Sequence, residues 1–288
     1  MEPPPFSFVA RRPDPPLRGH VDLLWHAQGQ IGYTRDHIVP TGHVVLLVNL
    51  GAPIRTVDAK GDDTTQRRAW VCGLQTRAML NEPLHGTHVL GVSFRPHGAH
   101  AVLGVPLAEI ADRVVALDDL WGAAARQLRE RIGDRTLIEA RLRTAEAWLT
   151  ERLAGYEAEP ARARVFERAM NGLCGVPPRS IRELCAEVGV SHKHFIDRCR
   201  RFVGVPPQQV IRIRRLLRTL EAIDPQRPVD WATLAASGGY CDQSHLVREF
   251  GRLATMTPRQ YLQRRRAVFG PELQAGQDPC FVPIVEPR

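Results

Sequence analysis

The stretch Leu184-Cys185-Ala186-Glu187-Val188-Gly189 recurs as Leu234-Ala235-Ala236-Ser237-Gly238-Gly239, displaced by 50 positions (189 to 239). A Leu, a small residue and a Gly at fixed spacing, used twice, require two copies of one supersecondary unit. Beyond each glycine lies a second apolar face with i, i+4, i+7 spacing: Phe195, Cys199 and Phe202 in the first copy, Leu246, Phe250 and Leu253 in the second. That spacing is helical, so each copy reads as helix, turn, helix. Prolines that cannot continue a helix close both copies, Pro206-Pro207 and Pro258, with Val210 and Tyr261 matching beyond them. The second turn is longer by one residue, since Gly189 to Phe195 spans 6 positions and Gly239 to Leu246 spans 7.

The turn residues suit a tight crossing. A small side chain lets the second helix pass over the first, glycine accepts the backbone conformation that ends a helix, and Ser191 can cap the helix that follows. Stacked helical solenoids use similar periods but need at least three repeats. Here there are two, joined by the stretch 208–223, which puts Val210, Ile213, Leu217 and Leu220 on one face and Arg212, Arg214, Arg215 and Arg218 largely elsewhere. A linking helix of that kind sets the distance between the units.

Charge separates the same region from the rest. Residues 160–269 hold 20 Lys and Arg against 9 Asp and Glu, while the whole chain of 288 residues nets +8, so the remainder is mildly acidic. One basic part beside an acidic one fits a protein of which only one domain meets a polyanion. Hydrophobic residues at 43% and charged residues at 24% are ordinary for a folded chain. The longest aliphatic run, Val44 to Val48, is too short to cross a bilayer and reads as a buried strand. The opening Met1-Glu2-Pro3-Pro4-Pro5 has neither a basic nor an apolar export region, and the cytoplasm is the expected location. Six scattered cysteines without a CxxC pair argue against a disulfide framework and against a zinc knuckle, leaving reduced thiols that mostly fill core.

The run Gly239-Tyr240-Cys241-Asp242-Gln243-Ser244-His245-Leu246-Val247-Arg248-Glu249-Phe250, with Thr257-Pro258 and Tyr261 beyond it, resembles the signature of the AraC/XylS family of transcription regulators. The first copy resembles it too, through Ser191, Phe195 and Gly204-Val205-Pro206-Pro207, and the match covers roughly residues 165–266. Two positions depart from it: Cys199 stands where the family usually has Phe, and Thr255 where Gly commonly ends the second recognition helix. The resemblance implies an all-helical domain whose two recognition helices enter successive major-groove segments on one side of the duplex. An activator working with RNA polymerase is the corresponding expectation.

Geometry nominates the readers independently. A recognition helix presents outward residues near its N-terminal end to base edges. In the first unit the positions away from the Phe195 face are His192, Lys193, Ile196 and Asp197, with Arg200 and Arg201 placed for phosphate; in the second they are Gln243, Ser244, Val247 and Arg248. By resemblance, base contacts fall on Lys193, Ile196, Asp197, Gln243, Ser244 and Arg248. Asp197 ranks below Lys193, because an anion near phosphates needs a cytosine amino group or a neighbouring Arg. Any one of these residues can also be a solvated charge with no specific partner.

Upstream, short apolar runs (Ile31 to Val39, Val44 to Leu50, Trp70 to Leu74, His88 to Phe94) alternate with Gly, Pro and Asp, the pattern of a small β-rich domain. Helical patterns follow at Leu107 to Val114 and at Leu137 to Leu153. Gly91-Val92-Ser93-Phe94-Arg95-Pro96 and Leu117-Asp118-Asp119-Leu120-Trp121-Gly122 make this half resemble the poorly characterised sensor-position domain of some AraC-type regulators. Trp25, Tyr33, Trp70 and Phe94 are candidate walls of an effector pocket, although aromatic residues in strands are more often core. The helix holding Leu137, Leu142, Ala145, Trp148, Leu149 and Leu153 is either a dimer seam or core, with core favoured.

His85 and His88, and His97 and His100, are paired at i, i+3, but a metal site needs a third ligand that the sequence does not display, so no cofactor is expected. A nucleophile elbow, a phosphate-binding glycine loop and a HExxH helix are missing, as is the clustered histidine pattern of metal-binding cupins. Repair relatives that use cysteine chemistry need an N-terminal cysteine cluster, where only Cys72 stands. No enzyme is expected.

The expected fold is therefore α+β: a β-rich sensor or dimerisation domain over 1–155, then an all-α DNA-binding domain over 160–269. That domain holds helix-turn-helix units near 180–203 and 230–253, joined by a linker helix near 208–223, and a Pro-rich tail, largely extended or loosely packed, follows over 270–288. Partners expected are double-stranded DNA, RNA polymerase, a small-molecule effector and a second copy of the chain, with no membrane. The alternative is a DNA-binding protein whose N-terminal domain is an enzyme or a purely structural dimeriser.

Overall fold

Period-2 alternation in the first part of the chain builds two antiparallel sheets. The structure, a computed structural model, describes all residues except 1–5, 31–32, 84–85, 157–159, 176–177, 270–277 and 285–288. One sheet has the spatial order β1 (Ser7–Arg11), β2 (Val21–Gly29), β9 (Thr87–Phe94), β4 (Val45–Asn49), β7 (Ala69–Cys72), β10 (Val114–Ala116). The other runs β11 (Phe281–Ile284), β3 (Arg35–Ile38), β8 (Met79–Pro83), β5 (Ile54–Val57), β6 (Asp63–Gln66). Successive side chains point to opposite faces. Leu24, Val92 and Phe94 of the first sheet accordingly join the large hydrophobic cluster that also contains the helices, while Ala27, Leu47, Trp70 and Val89 meet Ile54 of the second sheet in a separate interior layer. Trp25 packs against that layer, and its indole lies where a Cβ at Gly91 would be, which is why glycine stands there.

The outer face of the six-stranded sheet is covered by α1 (Ala99–Leu103), α2 (Leu117–Trp121), α3 (Ala123–Gly133) and α4 (Ile138–Ala154). Leu142, Ala145, Trp148 and Leu149 of α4 are buried in this core and Leu153 packs half-buried against it, whereas Leu137, at the cap of the helix, is exposed. The Arg152 guanidinium lies 4.1 Å from the Trp121 ring centre and 5.1 Å from that of Trp148, a cation–π stack that closes the end of the layer.

The rest is helical: α5 (Pro160–Cys174), α6 (Ile181–Val188), α7 (His192–Val203), α8 (Pro207–Glu221), α9 (Trp231–Ser237), α10 (Gln243–Ala254) and α11 (Pro258–Phe269). The α+β class with a β-rich part before the helices is as expected. The hydrophobic cluster is continuous from the sheets into these helices, through Phe166, Phe195, Leu217 and Phe250.

One local expectation is overturned. The helical pattern at Leu107 to Val114 yields only a 3-10 turn at Leu107–Glu109, after which the chain enters β10. Asp112 adopts φ 60 there and accepts the Thr76 N–H and hydroxyl, so side-chain bonding replaces the helical ladder. The tail contributes an extended segment that is packed: β11 adds to the edge of β3, pairing Phe281 with Ile38 and Val282 with His37, and Val282 and Cys280 are buried. An edge strand offers unpaired backbone groups to any extended segment that reaches it, which periodicity in the tail alone cannot reveal.

Candidate nucleic-acid interface

Each helix-turn-helix unit is fixed by local chemistry. α6 starts with a capping box: the Glu183 N–H donates to Ser180 Oγ, and the Ser180 N–H donates to the Glu183 carboxylate. It ends at Gly189 with φ 65, a left-handed cap that suits glycine. Ser191 then caps α7 by accepting from the His194 N–H at 3.2 Å. In the second unit Asp230 caps α9, accepting from Ala232 and Thr233, and Asp242 caps α10, accepting from the His245 N–H at 2.6 Å.

One face of each recognition helix is inside. Phe195, Cys199 and Val203 of α7 and Leu246, Phe250 and Leu253 of α10 are buried to 1% exposure or less, while Phe202, expected on the same face, is half-buried against Phe166. Cys199 sits 4.0 Å from the Met170 sulfur, and burial pushes its thiol up to about 12, so it is an inert filler in the place of the family's Phe. The opposite faces are open. His192, Lys193, Asp197, Arg200 and Arg201 are exposed on α7 with Ile196 half-buried, and Gln243, Ser244, Val247 and Arg248 are exposed on α10. Asp197 has the Arg partner that its position demands, Arg200 at 3.7 Å. His245 faces elsewhere: its Nδ1 accepts from the Cys241 N–H and its ring meets Tyr240 edge-on.

The linker helix holds the second unit in orientation. Glu249 of α10 is nearly buried and takes Arg215 at 3.2 Å and Arg212 at 3.6 Å, both from α8. Arg215 also lies over the Tyr240 ring, and the Tyr240 hydroxyl accepts from Thr219. Arg212 and Arg215, two of the arginines off the apolar face of α8, thus serve as braces.

The proposed pocket walls do not all converge. Trp25 and Trp70 line the layer between the sheets, with the Trp25 indole N–H donating to Ser93 Oγ. Tyr33 lies beside Asp36, whose place in β3 directly opposite Asn81 and, through it, Thr56 puts it on the same inner face as Ile54. Burial pushes the Asp36 carboxyl up to about 6, and one oxygen each of Asp36 and Asn81 lacks a partner among the described residues. Phe94 points the other way, into the helical core, because it occupies the alternate register of β9.

The histidines also disperse. His85 lies outside the described residues. His88 accepts from Arg141 at 2.8 Å beside His26, His97 faces Glu167 at 3.6 Å, and His100 packs on Phe202 while its Nδ1 bonds the Val105 carbonyl. Among the described residues no group of three potential metal ligands is close enough to hold an ion, and no helix is long and apolar enough to cross a membrane.

Residues 184–264, which contain both recognition helices, match the family model of a helix-turn-helix domain. This part of the chain is an AraC-type helix-turn-helix domain. It makes the protein a DNA-binding transcription regulator. Residues 10–116 match a second model, a domain of unknown function (DUF6597). No curated protein matches the chain. Among solved structures, ToxT from Vibrio cholerae is similar at 10% identity over 90% of this chain and 98% of its own, with a TM-score of 0.43. Another ToxT structure, bound to (E)-4-(8-methylnaphthalen-1-yl)but-3-enoic acid, is similar at 9% identity over 90% and 99%, with a TM-score of 0.46. The AraC-like transcriptional activator CuxR is similar at 18% identity over 73% and 86%, with a TM-score of 0.25.

The AraC-type domain is not free of the β-rich part. The end of α7 and its Gly204 cap lie against the Leu107 carbonyl, and Phe202 meets His100. The end of α10 meets His37 and Ala78. Residue patterns gave no signal for these contacts, since His37 and Ala254 are 217 positions apart.

Proposed function

We propose that this AraC-type regulator is a sequence-specific activator that reads two successive major-groove segments, one with α7 and one with α10. One observation carries the reading: both helices bury an anchor face while the first-turn residues on the opposite face stay exposed, and the linker helix α8 braces α10 through Arg212 and Arg215. Lys193, Ile196, Gln243, Ser244 and Arg248 reach base edges, with His192, Asp197 and Val247 beside them, and Arg200 and Arg201 take phosphate. Arg is suited to guanine because its fork matches two acceptors at once.

The test is a binding titration on a duplex selected from a random pool, repeated over its single-base variants. Arg248→Ala is expected to weaken binding by about 1–3 kcal/mol and to relax one base preference, whereas Arg201→Ala weakens all sequences alike. Identical behaviour of the two variants sinks the division between base and phosphate contacts. A reporter carrying that duplex upstream of a promoter tests activation through RNA polymerase; lowered output marks a repressor.

The β-rich part is the place for an effector in this cytoplasmic regulator. Trp25 and Trp70 offer apolar walls between the sheets, and the unpartnered oxygens of Asp36 and Asn81 favour a ligand that donates hydrogen bonds. Such a ligand acts through different affinities for DNA-competent and incompetent states. Trp25→Phe should change the fluorescence response to the effector; the same response with and without that indole removes this layer as the site. A second copy of the chain is a further proposed partner, checked by light scattering with and without DNA.

A further inference from the structure

We propose that His37, on strand β3, is a positioning residue for the second recognition helix, holding the end of α10 to the β-rich sheet through Ala254 and Thr255. The inference rests on the reading of α10 as a DNA-contacting helix for its consequence, though not for the contact itself.

The last carbonyls of a helix have no partner within it and need donors from outside. In α10 two of them find those donors on the sheet. The Ala78 N–H donates to the Leu253 carbonyl at 2.8 Å, and His37 Nε2 stands 2.8 Å from the Ala254 carbonyl. A carbonyl can only accept, so the contact places the imidazole proton on Nε2. Thr255 Oγ1 lies 2.8 Å from the same nitrogen and shares its proton. Thr255 holds the left-handed cap, φ 55, where the family commonly uses glycine. A β-branched residue rarely takes this conformation without support, and the His37 bond is a support that glycine could not receive.

The two donors are neighbours: His37 pairs with Leu80 and Ile38 with Met79, so β3 and the start of β8 form one platform under the end of α10. The opposite edge of β3 is bound as well. Val282 of β11 pairs with His37, and the turn before β11 accepts from α11, with the Tyr261 hydroxyl donating to the Pro279 carbonyl and Arg265 to the Asp278 carbonyl, each at 2.8 Å. The first recognition helix rests on another part of the β-rich region, at Leu107 and His100. The placement of the two reading helices, joined by α8, is therefore also constrained by where β3 lies relative to that segment. Asp36, the neighbour of His37, faces the interior between the sheets, so one strand carries an inward polar group and an outward tie to α10.

The test uses the full chain with His37→Ala, His37→Gln and Thr255→Gly. Without DNA, hydrogen exchange at the Thr255 and Ala78 amides should quicken about tenfold or more in His37→Ala, and His37→Gln, which keeps an N–H donor, should restore most of the protection. Thr255→Gly, which accepts the cap conformation but loses the hydroxyl, should retain the fold and quicken exchange less. With DNA, His37→Ala should reduce discrimination among base variants in the α10 segment by about fivefold or more, while discrimination in the α7 segment stays within about twofold. Unchanged exchange in His37→Ala, equal loss in both segments, or failure of His37→Gln to rescue overturns the proposal. A wild-type chain that binds no DNA refutes the proposed function, whereas the exchange measurement still decides the contact. If His37→Ala does not fold, the His37→Gln and Thr255→Gly comparison decides it.

Discussion

Single residues in this protein act through the space and the backbone geometry around them. Gly91 is an example, because the Trp25 indole occupies the place of its missing side chain. Gly91→Ala must displace that ring from the inner layer and is expected to destabilise the chain by about 1–3 kcal/mol, read from urea denaturation. Asp242 works through the backbone instead. Its carboxylate satisfies the His245 N–H at the start of α10, so Asp242→Ala should reduce stability by about 0.5–2 kcal/mol and also weaken DNA binding, since Gln243 and Ser244 sit on the turn that frays. Loss of stability with unchanged binding would separate that turn from the reading surface.

At the scale of elements, β11 matters out of proportion to its four residues. It covers the edge of β3 and, through Pro279 and Asp278, anchors α11. Ending the chain at residue 277 removes it and exposes an unpaired strand edge. The shortened protein should melt at a lower temperature and associate in a concentration-dependent way, which sedimentation will show; a monomer with unchanged melting would mean that the edge tolerates exposure. The brace between α8 and α10 is of the same kind: because Glu249 is nearly buried between Arg212 and Arg215, its removal leaves two guanidinium groups without their carboxylate.

For the whole molecule, protonation couples the sheets to their helical cover. His26 is fully buried between β2 and α4, and burial, with His88 and Arg141 beside it, lowers its pKa to about 4. Burial lowers His20, His37, His88, His97 and His100 in the same direction. Below the ordinary histidine pKa the unfolded chain takes up protons that the native state refuses, so stability is complete above about pH 7 and falls as pH drops from about 6.5 toward 4. Asp36 opposes this weakly, since its raised pKa makes the native state bind a proton between about 6 and 3.8. The denaturation midpoint should therefore fall on acidification, and His26→Leu should flatten that fall; an equally steep profile in the variant would assign it to the other histidines.

What the residues determined by themselves is the local part of this fold. The 50-residue repeat, the glycine that ends α6, the Ser191 cap and the apolar faces of α7, α8 and α10 are written within windows of a dozen positions, because helices and caps are made of neighbours. The exposure of Lys193, Gln243 and Arg248 followed from the same periodicity. The tertiary structure decided everything that joins distant segments. It turned Phe94 away from Trp25 and Trp70, gave His97 and His100 separate partners, set the tail as an edge strand, and brought His37 to Thr255 across 218 positions. Such contacts depend on which strand edges and helix ends are left unsatisfied once the sheets have assembled. No local pattern encodes that, because the partner for an orphan carbonyl is chosen by proximity in the folded chain.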